Sequence, residues 1–444
     1  MKKLIKHPIA LSLFVLGMGA ASLGRAASDK DPTEEKRAIA AFSAIELSGP
    51  YRVIVRAQGD NSVELKGQRK QLEQVETFVS GDTLIVRPVK RSGFHLQFGK
   101  GTDPVTVYIG AASLRSLKAG GSGNVELEQF QGNTLRLDVN GAGDVNASGS
   151  VQDLTVHGNG SGDIRLGNLR VGTLNLQLNG AGDAHAGSIS QDLNVEMRGS
   201  GDLEISDVRT NRVNAVLNGP GDLTLRGRSR EIRASLSGSG DLEACALAVE
   251  SVTAVLKSAG NACVAGSIKK FDAEIHGSGD LEARGLQAQT SRVVMSSAGS
   301  MELSGSSGSL NAEVSGSGSL NAQSLQVGRV LTRSRGPGNI HLSKVSDSLE
   351  AEVRGSGDLI ASPDCSSAKV TMSGPGGVTL NGRVNTLDAR LSGSGSLNGR
   401  GLLAGSADVV VNGPGNAVVN VRGKSSPSRL LLVDRAGSHE RRGE

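Results

Sequence analysis

The chain has 444 residues, of which 62 are Gly, seven Phe and two Tyr, with no Trp. Glycine is about twice as common as in an average protein, but it follows no Gly-X-Y period, which excludes a collagen triple helix. Lys and Arg number 48 against 44 Asp and Glu, and 37% of the residues are hydrophobic, so the composition is not that of a disordered chain. So few aromatic side chains could not fill a wide globular core, and the composition therefore favours a thin structure.

The N-terminal segment, residues 1–26, has the three parts of a secretory signal peptide. Lys2, Lys3 and Lys6 open it, an apolar run follows over 9–16, and a small-x-small cleavage site ends it. The alternative is an uncleaved membrane anchor, but the apolar run is short for a bilayer span. Without this segment, basic and acidic side chains are equal in number, which argues against a nucleic-acid partner. We therefore expect a periplasmic or secreted protein that is not integral to the membrane.

Residues 27–115 predict a small β-rich N-terminal cap, because they lack the glycine pattern of the rest of the chain and alternate apolar with polar residues over short runs. One basic and aromatic segment of this cap could bind an anionic polymer or a lipid head group; its residues are Arg87, Lys90, Arg91, Phe94 and Phe98. The alternative, which we favour, is a solvated hairpin whose phenylalanines cover the end of the repeats that follow.

An internal repeat organises residues 116–420. An element close to Gly-(Ser/Ala/Pro)-Gly-(Asp/Asn/Ser) occurs sixteen times between Gly121 and Gly413, and a longer and a shorter spacing alternate almost throughout. Its middle residue also alternates, being Ser in one series and Ala or Pro in the other. The full repeat therefore spans two elements, as from Gly121 to Gly160, and has two unequal halves.

Within each half, apolar residues recur with a period of two, as in Leu174, Leu176 and Leu178. This is the period of a β-strand. Short strands at a fixed period predict a solenoid whose coils stack about 4.8 Å apart around one continuous core. We therefore predict an all-β protein, a parallel β-helix with a 39-residue double repeat. An antiparallel array of hairpins is the alternative, but it would not explain the fixed register of the copies.

One coil could hold either one half of the repeat or the whole of it. The alternation of the middle residue slightly favours the longer coil, since like residues would then stack on like. Two successive coils of alternating type would show the same period. Cys245 and Cys263 lie in adjacent halves, and in an exported protein they could form a disulfide. Such a bond needs Cα atoms within about 7 Å, so it would support the shorter coil. The alternative is that these two cysteines and Cys365 are three reduced thiols.

An acidic residue often follows the second glycine, so stacked coils would carry a row of carboxylates. Like charges one coil apart repel each other, and Ca²⁺, which takes oxygen ligands, would relieve that repulsion; the candidate ligands are Asp163, Asp202, Asp241 and Asp280. The alternative is that these side chains accept hydrogen bonds from turn amides. The histidines show no metal-ligand spacing, and the sequence indicates neither a cofactor nor a catalytic residue.

Residues 421–444 predict a charged C-terminal tail around an apolar patch at 430–433, which could cover the far end of the solenoid.

Several motifs of the chain resemble one known family. They are the opening segment 42–49, the strand sequence Tyr51-Arg52-Val53-Ile54-Val55, the segment 81–86 and the repeated Gly-Ser-Gly-Asp-Leu. Together they resemble the head GIN domain family of bacterial autotransporter adhesins, over about residues 40–420. The resemblance implies an exported, β-helical bacterial protein of adhesive type.

From these features we expect a structural or adhesion-type binding protein of the bacterial cell envelope, without catalytic activity, whose partner is an envelope polysaccharide or a surface polymer. One alternative is a β-helical enzyme acting on an envelope polysaccharide, which would need several acids that break the repeat. The other is a calcium-dependent binding module, which would lose its fold in a chelator.

Overall fold

The structure is a computed structural model that describes residues 32–89, 104–422, 429–434 and 437–441. Strands account for most of this part of the chain, and a single helical turn, α1 (Arg69–Leu72), is the one helix found in it. Over the same residues, no helix has the length and apolar character needed to cross a membrane. The predicted signal peptide, residues 1–26, lies outside the described residues.

The N-terminal part of the chain, as far as the structure describes it, consists of eight short strands. They are β1 (Pro32–Arg37), β2 (Ala44–Leu47), β3 (Arg52–Arg56), β4 (Ser62–Gln68), β5 (Val75–Ser80), β6 (Thr83–Pro88), β7 (Thr106–Gly110) and β8 (Ser116–Ala119).

The repeats form a β-solenoid of about 15 turns with mostly parallel bridges, which confirms the predicted fold class. Its strands are longer, and most run through a corner of the coil. They are β9 (Val125–Val139), β10 (Val145–Gly158), β11 (Ile164–Leu178), β12 (Ala184–Ile189), β13 (Asp192–Met197), β14 (Leu203–Leu217), β15 (Leu223–Leu236), β16 (Leu242–Leu256), β17 (Ala262–Ile268), β18 (Lys270–Ile275), β19 (Leu281–Met295), β20 (Met301–Val314), β21 (Leu320–Ser334), β22 (Ile340–Val353), β23 (Leu359–Met372), β24 (Gly377–Leu380), β25 (Gly382–Leu391), β26 (Ser396–Val411) and β27 (Asn416–Val421).

Each coil holds one half of the repeat. Val145 of β10 pairs in parallel with Val125 on one side and with Ile164 on the other, so the chain advances by one half of the repeat from each coil to the next. The preference for a 39-residue coil is therefore wrong, and the sequence repeat is a pair of coils. The residue that alternates is exposed, for example at Ala142 and Ser161. Its identity therefore does not constrain how the coils stack.

Each coil has three sides. In β11 the alternation of buried and exposed residues is interrupted at 167–168 and again at 171–172, and the Gly-x-Gly element makes the third corner. The side chains that point inward from this coil are all aliphatic: Ile164, Leu166, Leu169, Val171, Leu174, Leu176 and Leu178. Three short walls enclose a narrow core, which explains how the chain folds with so few aromatic residues.

The Gly-x-Gly corners stack directly on one another. A Cβ atom on Gly160 would lie 1.9 Å from the carbonyl oxygen of Gly141, and one on Gly182 would lie 2.2 Å from that of Gly162. Both distances are far below van der Waals contact, so a side chain at either position would push neighbouring coils apart. The second glycine is present in all sixteen copies, because the backbone contact recurs at every coil.

The glycine column begins inside the predicted cap. A Cβ atom on Gly121 would lie 2.1 Å from the carbonyl oxygen of Gly49, and one on Gly123 would lie 1.8 Å from that of Tyr51. Strand β2 pairs in parallel with β8, and β3 pairs in parallel with β9. The segment around Gly49 is therefore a first corner that the glycine pattern alone does not reveal. The Tyr51 ring is buried there, and this burial raises the pKa of its hydroxyl to about 12.

Antiparallel strands end the ladder on both sides. At the N-terminal end β5 pairs antiparallel with β6, β4 with β7, and β1 with β4. At the other end two further strands, β28 (Arg429–Asp434) and β29 (Gly437–Arg441), follow β27 as an antiparallel meander. Strands of opposite direction thus cover part of each end of the parallel stack, and two of them lie in the predicted tail, residues 421–444.

Candidate functional site

The row of acidic residues is a chain of hydrogen bonds between coils. The backbone amide of Asp222 donates to Oδ1 of Asp202 over 2.9 Å, and that of Asp241 donates to Oδ1 of Asp222 over 2.8 Å. The pattern recurs from Asn124 to Ser300, with acceptors Asn124, Asp144, Asp163, Asp183, Asp202, Asp222, Asp241, Asn261 and Asp280. One oxygen of each carboxylate is therefore engaged by the backbone of the next coil.

The four predicted calcium ligands are not brought together. Asp163, Asp202, Asp241 and Asp280 stand on alternate coils, because each coil holds only half of the repeat. Successive members are therefore about 9.6 Å apart, twice the strand spacing, whereas Ca²⁺ binds oxygen at about 2.3–2.6 Å. These four residues cannot surround one ion, and a cation between neighbouring carboxylates stays a prediction.

One guanidinium bridges two neighbouring carboxylates of the row. Arg165 donates from Nη1 to Oδ2 of Asp144 and from Nη2 to Oδ2 of Asp163, both over 2.7 Å. The hydrogen bond from Arg165 holds the pKa of Asp144 below its usual value, against a smaller opposing effect of burial. The backbone amide of Asp163 adds to this lowering. A protein cation thus occupies this end of the acidic row.

A second wall of the solenoid carries two ladders of asparagine side chains. Nδ2 of Asn159 donates to Oδ1 of Asn140, and Nδ2 of Asn179 donates to Oδ1 of Asn159, both over 2.8 Å. In the parallel row, Asn194 donates to Asn175 over 2.8 Å and Asn214 donates to Asn194 over 2.9 Å. We call the outward side chains of 134–140, 153–159, 173–179, 192–198 and 212–218 the amide face. Sequence reasoning missed these ladders, because they become visible only when one coil is taken to hold one half of the repeat.

Of the predicted basic and aromatic segment, only Arg87 belongs to the described residues. Its Nε atom donates to Glu76 over 2.7 Å, and its guanidinium lies 4.9 Å from the centre of the Phe78 ring. Arg87 is thus paired within the cap. The other four residues, Lys90, Arg91, Phe94 and Phe98, lie outside the described residues.

The structure brings Cys245 and Cys263 within bonding distance, with their Cα atoms 5.2 Å apart, which meets the geometric requirement of the predicted disulfide. They lie on adjacent coils, as the shorter coil requires. Sγ of Cys263 is also 3.8 Å from a carboxylate oxygen of Glu282 on the following coil. The third cysteine, Cys365, is buried, and this burial raises the pKa of its thiol.

Ser296, His276 and Glu274 form a cluster that the sequence does not indicate. Nδ1 of His276 lies 2.7 Å from Oγ of Ser296, and its Nε2 lies 3.1 Å from Oε2 of Glu274. These groups match a hydrolytic triad in type, but Arg292 also binds the Glu274 carboxylate over 2.6 Å, and the His276 side chain is 39% exposed. Such catalysis depends on preorganised donors in a site that excludes water. We interpret the cluster as a surface hydrogen-bond network between coils.

Several solved bacterial structures match the chain at low identity and low TM-score. A "putative adhesin" from Bacteroides fragilis is 17% identical, with 61% of this chain and 96% of that chain covered and a TM-score of 0.26. A "putative adhesin" from Parabacteroides distasonis is 16% identical, with 68% and 98% covered and a TM-score of 0.30. A "putative lipid binding protein" from the same species is 14% identical, with 79% and 96% covered and a TM-score of 0.24.

None of the curated proteins matches the chain. A family model does match, in four overlapping segments that together span most of the sequence: residues 41–190, 186–285, 265–362 and 344–427. Its description is "Putative auto-transporter adhesin, head GIN domain". The matched segments include both the N-terminal motifs and the glycine repeats, so the chain belongs to the head GIN domain family.

Proposed function

We propose that this chain is an exported, non-catalytic binding protein of the bacterial cell envelope, and that it holds a neutral, hydroxyl-rich polysaccharide on its amide face. The observation that carries the proposal is the pair of asparagine ladders. Family membership supports an adhesive role, and the composition of residues 1–26 supports export.

The ladders present a regular array of donors and acceptors. A side-chain amide has two N–H groups and an oxygen with two lone pairs, and each inner member of a ladder, such as Asn194, uses one N–H and one lone pair within it. The remaining N–H and lone pair are left for a ligand, and they recur about every 4.8 Å along the solenoid. Because the ladder already holds these amides in place, binding loses little side-chain entropy.

The chemistry of the wall favours hydrogen bonding over stacking. From residue 131 onward the only aromatic residue is Phe271, and its side chain is buried. A ligand on the described repeats therefore finds no exposed Phe, Tyr or Trp ring on which a sugar or a base could stack. Amides and hydroxyls match the hydroxyl groups of a neutral polysaccharide, whereas a strongly charged polymer would meet a wall of mixed charge such as Asp138 and Arg136.

A substitution in the ladder tests the proposal. Asn194→Leu removes the donor to Asn175 and the acceptor for Asn214, so it breaks both bonds of its ladder. The variant also loses the N–H and the lone pair that Asn194 leaves for a ligand. Since each lost hydrogen bond is worth about 1 kcal/mol, we expect affinity for the bound polysaccharide to fall about tenfold or more. The measurement is cosedimentation and calorimetry of the full chain with purified envelope polysaccharides, intact sacculi included.

Asn311→Leu is the matched control. Asn311 stands in the same outward row, but its register neighbours are Arg292 and Leu331, so it belongs to no amide ladder. This variant should bind like the wild type. Equal loss of binding in both variants would contradict the amide face, and a wild-type chain that binds none of the polysaccharides would contradict the proposed ligand class.

A further inference from the structure

Three consecutive coils place sulfur and carboxylate groups in one outward row. Glu243 of β16 lies opposite Cys263 of β17, and Cys263 lies opposite Glu282 of β19. Cys245, two residues beyond Glu243, stands beside Cys263 with a Cα distance of 5.2 Å. The Sγ atoms of both cysteines and a carboxylate oxygen of Glu282 all lie within 4.8 Å of one another, on side chains that are half-buried.

This patch favours a cation. Glu302 stands in the same row one coil beyond Glu282, and Glu243 stands in it two coils before Glu282, with Cys263 between them. The cation that faces them is Arg284, which donates from Nη2 to Oε2 of Glu282 over 2.7 Å. The Glu282 carboxylate therefore already holds a positive group.

We propose that reduction of the Cys245–Cys263 pair turns this patch into a Zn²⁺ site, with the two sulfur atoms and the Glu282 carboxylate as ligands. Zinc prefers a tetrahedral set of thiolate, imidazole and carboxylate ligands, and water completes the set here. The oxidised pair cannot serve, because a disulfide sulfur carries no negative charge. The site is thus available in one redox state only.

The chemistry balances with a dithiol or a phosphine as reductant. A phosphine takes the oxygen of one water molecule and becomes a phosphine oxide, while that water supplies both thiol protons. A dithiol gives two electrons and two protons to the protein disulfide and becomes a disulfide itself, while Cys245 and Cys263 become thiols. Zn²⁺ then displaces both thiol protons into solvent and binds as thiolate, thiolate and carboxylate. Arg284 has to release Glu282 as the metal arrives. Zinc uptake should therefore release protons and should compete with the arginine.

The test is a Zn²⁺ titration of the full chain by calorimetry and by competition with a colorimetric chelator. The oxidised protein is compared with protein reduced by a phosphine. The phosphine is removed before the titration, and both steps are done in the absence of oxygen. We expect one Zn²⁺ per reduced chain, and affinity at least about tenfold weaker in Glu282→Gln, since even outer-shell changes act on that scale. Arg284→Ala should bind more tightly than the wild type, because it frees the carboxylate.

Two cysteine variants decide the assignment. Cys263→Ser should abolish the zinc uptake of the reduced chain. Cys365→Ser removes the remaining thiol, which is buried elsewhere, and should leave uptake unchanged. Equal uptake by oxidised and reduced protein, or uptake that survives in Cys263→Ser, would overturn the proposal. Glu282→Gln leaves the disulfide intact. The circular dichroism spectrum of this variant therefore checks that a loss of zinc binding is not caused by a loss of folding.

Discussion

Glycine is needed at the repeated Gly-x-Gly corners of this solenoid for contact and not for backbone conformation. Within the described part of the chain ten glycines have positive φ, and none of them belongs to the sixteen repeated elements. At Gly201 the neighbouring carbonyl oxygen, that of Gly182, stands 2.0 Å from the place where a Cβ would lie. The atom in the way is backbone, which cannot rotate aside as a flexible side chain would. A substitution here must move a whole coil.

Gly201→Ala should therefore destabilise the protein by about 1–3 kcal/mol, the usual effect of overpacking. Ser200→Ala is the matched control, because Ser200 lies in the same element with its side chain exposed; it should change stability by less than about 0.5 kcal/mol. The measurement is the urea midpoint of both variants and the wild type. Indistinguishable midpoints would show that coils separate easily at this corner, contrary to the glycine column.

At the scale of the element, the strands could be predicted from the sequence, but the coil length could not. The period of two marks the walls, as in Leu174, Leu176 and Leu178, because burial selects those positions. The prediction of the coil length depended on the residue between the two glycines of each element. This residue is exposed, so its alternation carries no information on how the coils stack. The spacing of Cys245 and Cys263 did carry that information, since a bond between them joins neighbouring coils.

Of the candidate sites, too, only a part could be predicted from the sequence. The acidic row could be read from the sequence, but its partners are backbone amides of the next coil, which no side-chain pattern shows, as between Asp202 and Asp222. The amide face required the coil length first. Once that is known, Asn140, Asn159 and Asn179, each one coil from the next, identify a ladder directly.

The bridge made by Arg165 should make the stability of the paired strands β10 and β11 depend on pH in the acid range. The pKa of Asp144 is lowered in the folded state, first by the hydrogen bond from Arg165. A carboxyl of this kind stabilises the fold above its unfolded pKa, about 3.9, and loses that contribution as pH falls through the lower, folded value. Arg165→Gln should therefore reduce stability at pH 6 but not at pH 2. Stability should then fall less steeply between these two pH values than it does in the wild type.

Thermal unfolding from pH 2 to pH 6 measures this effect, and NMR titration of the Asp144 carboxyl reports its pKa directly. Arg170→Gln removes the same charge from the same strand, β11, and should keep the slope of the wild type. If Arg165→Gln keeps that slope too, the guanidinium does not stabilise the ionised form of Asp144.

At the scale of the whole molecule, antiparallel strands cover part of each end of the solenoid. A free edge presents unpaired N–H and C=O groups that can pair with another chain. At the C-terminal end β28 covers β27, with pairs from Ala417 opposite Val433 to Val421 opposite Arg429. At the N-terminal end β1, with the charged sequence Pro-Thr-Glu-Glu-Lys-Arg, is the outermost strand of its wall among the described residues. The walls that end in these strands are thus arranged to limit growth by stacking.

Ending the chain after Arg422 should therefore convert a monomer into a concentration-dependent dimer. The truncation uncovers β27, whose residues Ala417 to Val421 then lack their antiparallel partner. Two such edges are identical, and antiparallel pairing of like strands about a twofold axis is self-complementary. Sedimentation equilibrium over a hundredfold range of concentration measures the association. Val421→Pro in the truncated chain should restore the monomer. The N–H of the next residue, Arg422, is donated to Ala404 of β26, so that of Val421 faces the uncovered edge, where proline cannot donate to a new ladder. A truncated chain that stays monomeric throughout would show that the parallel stack does not need β28 to limit its growth.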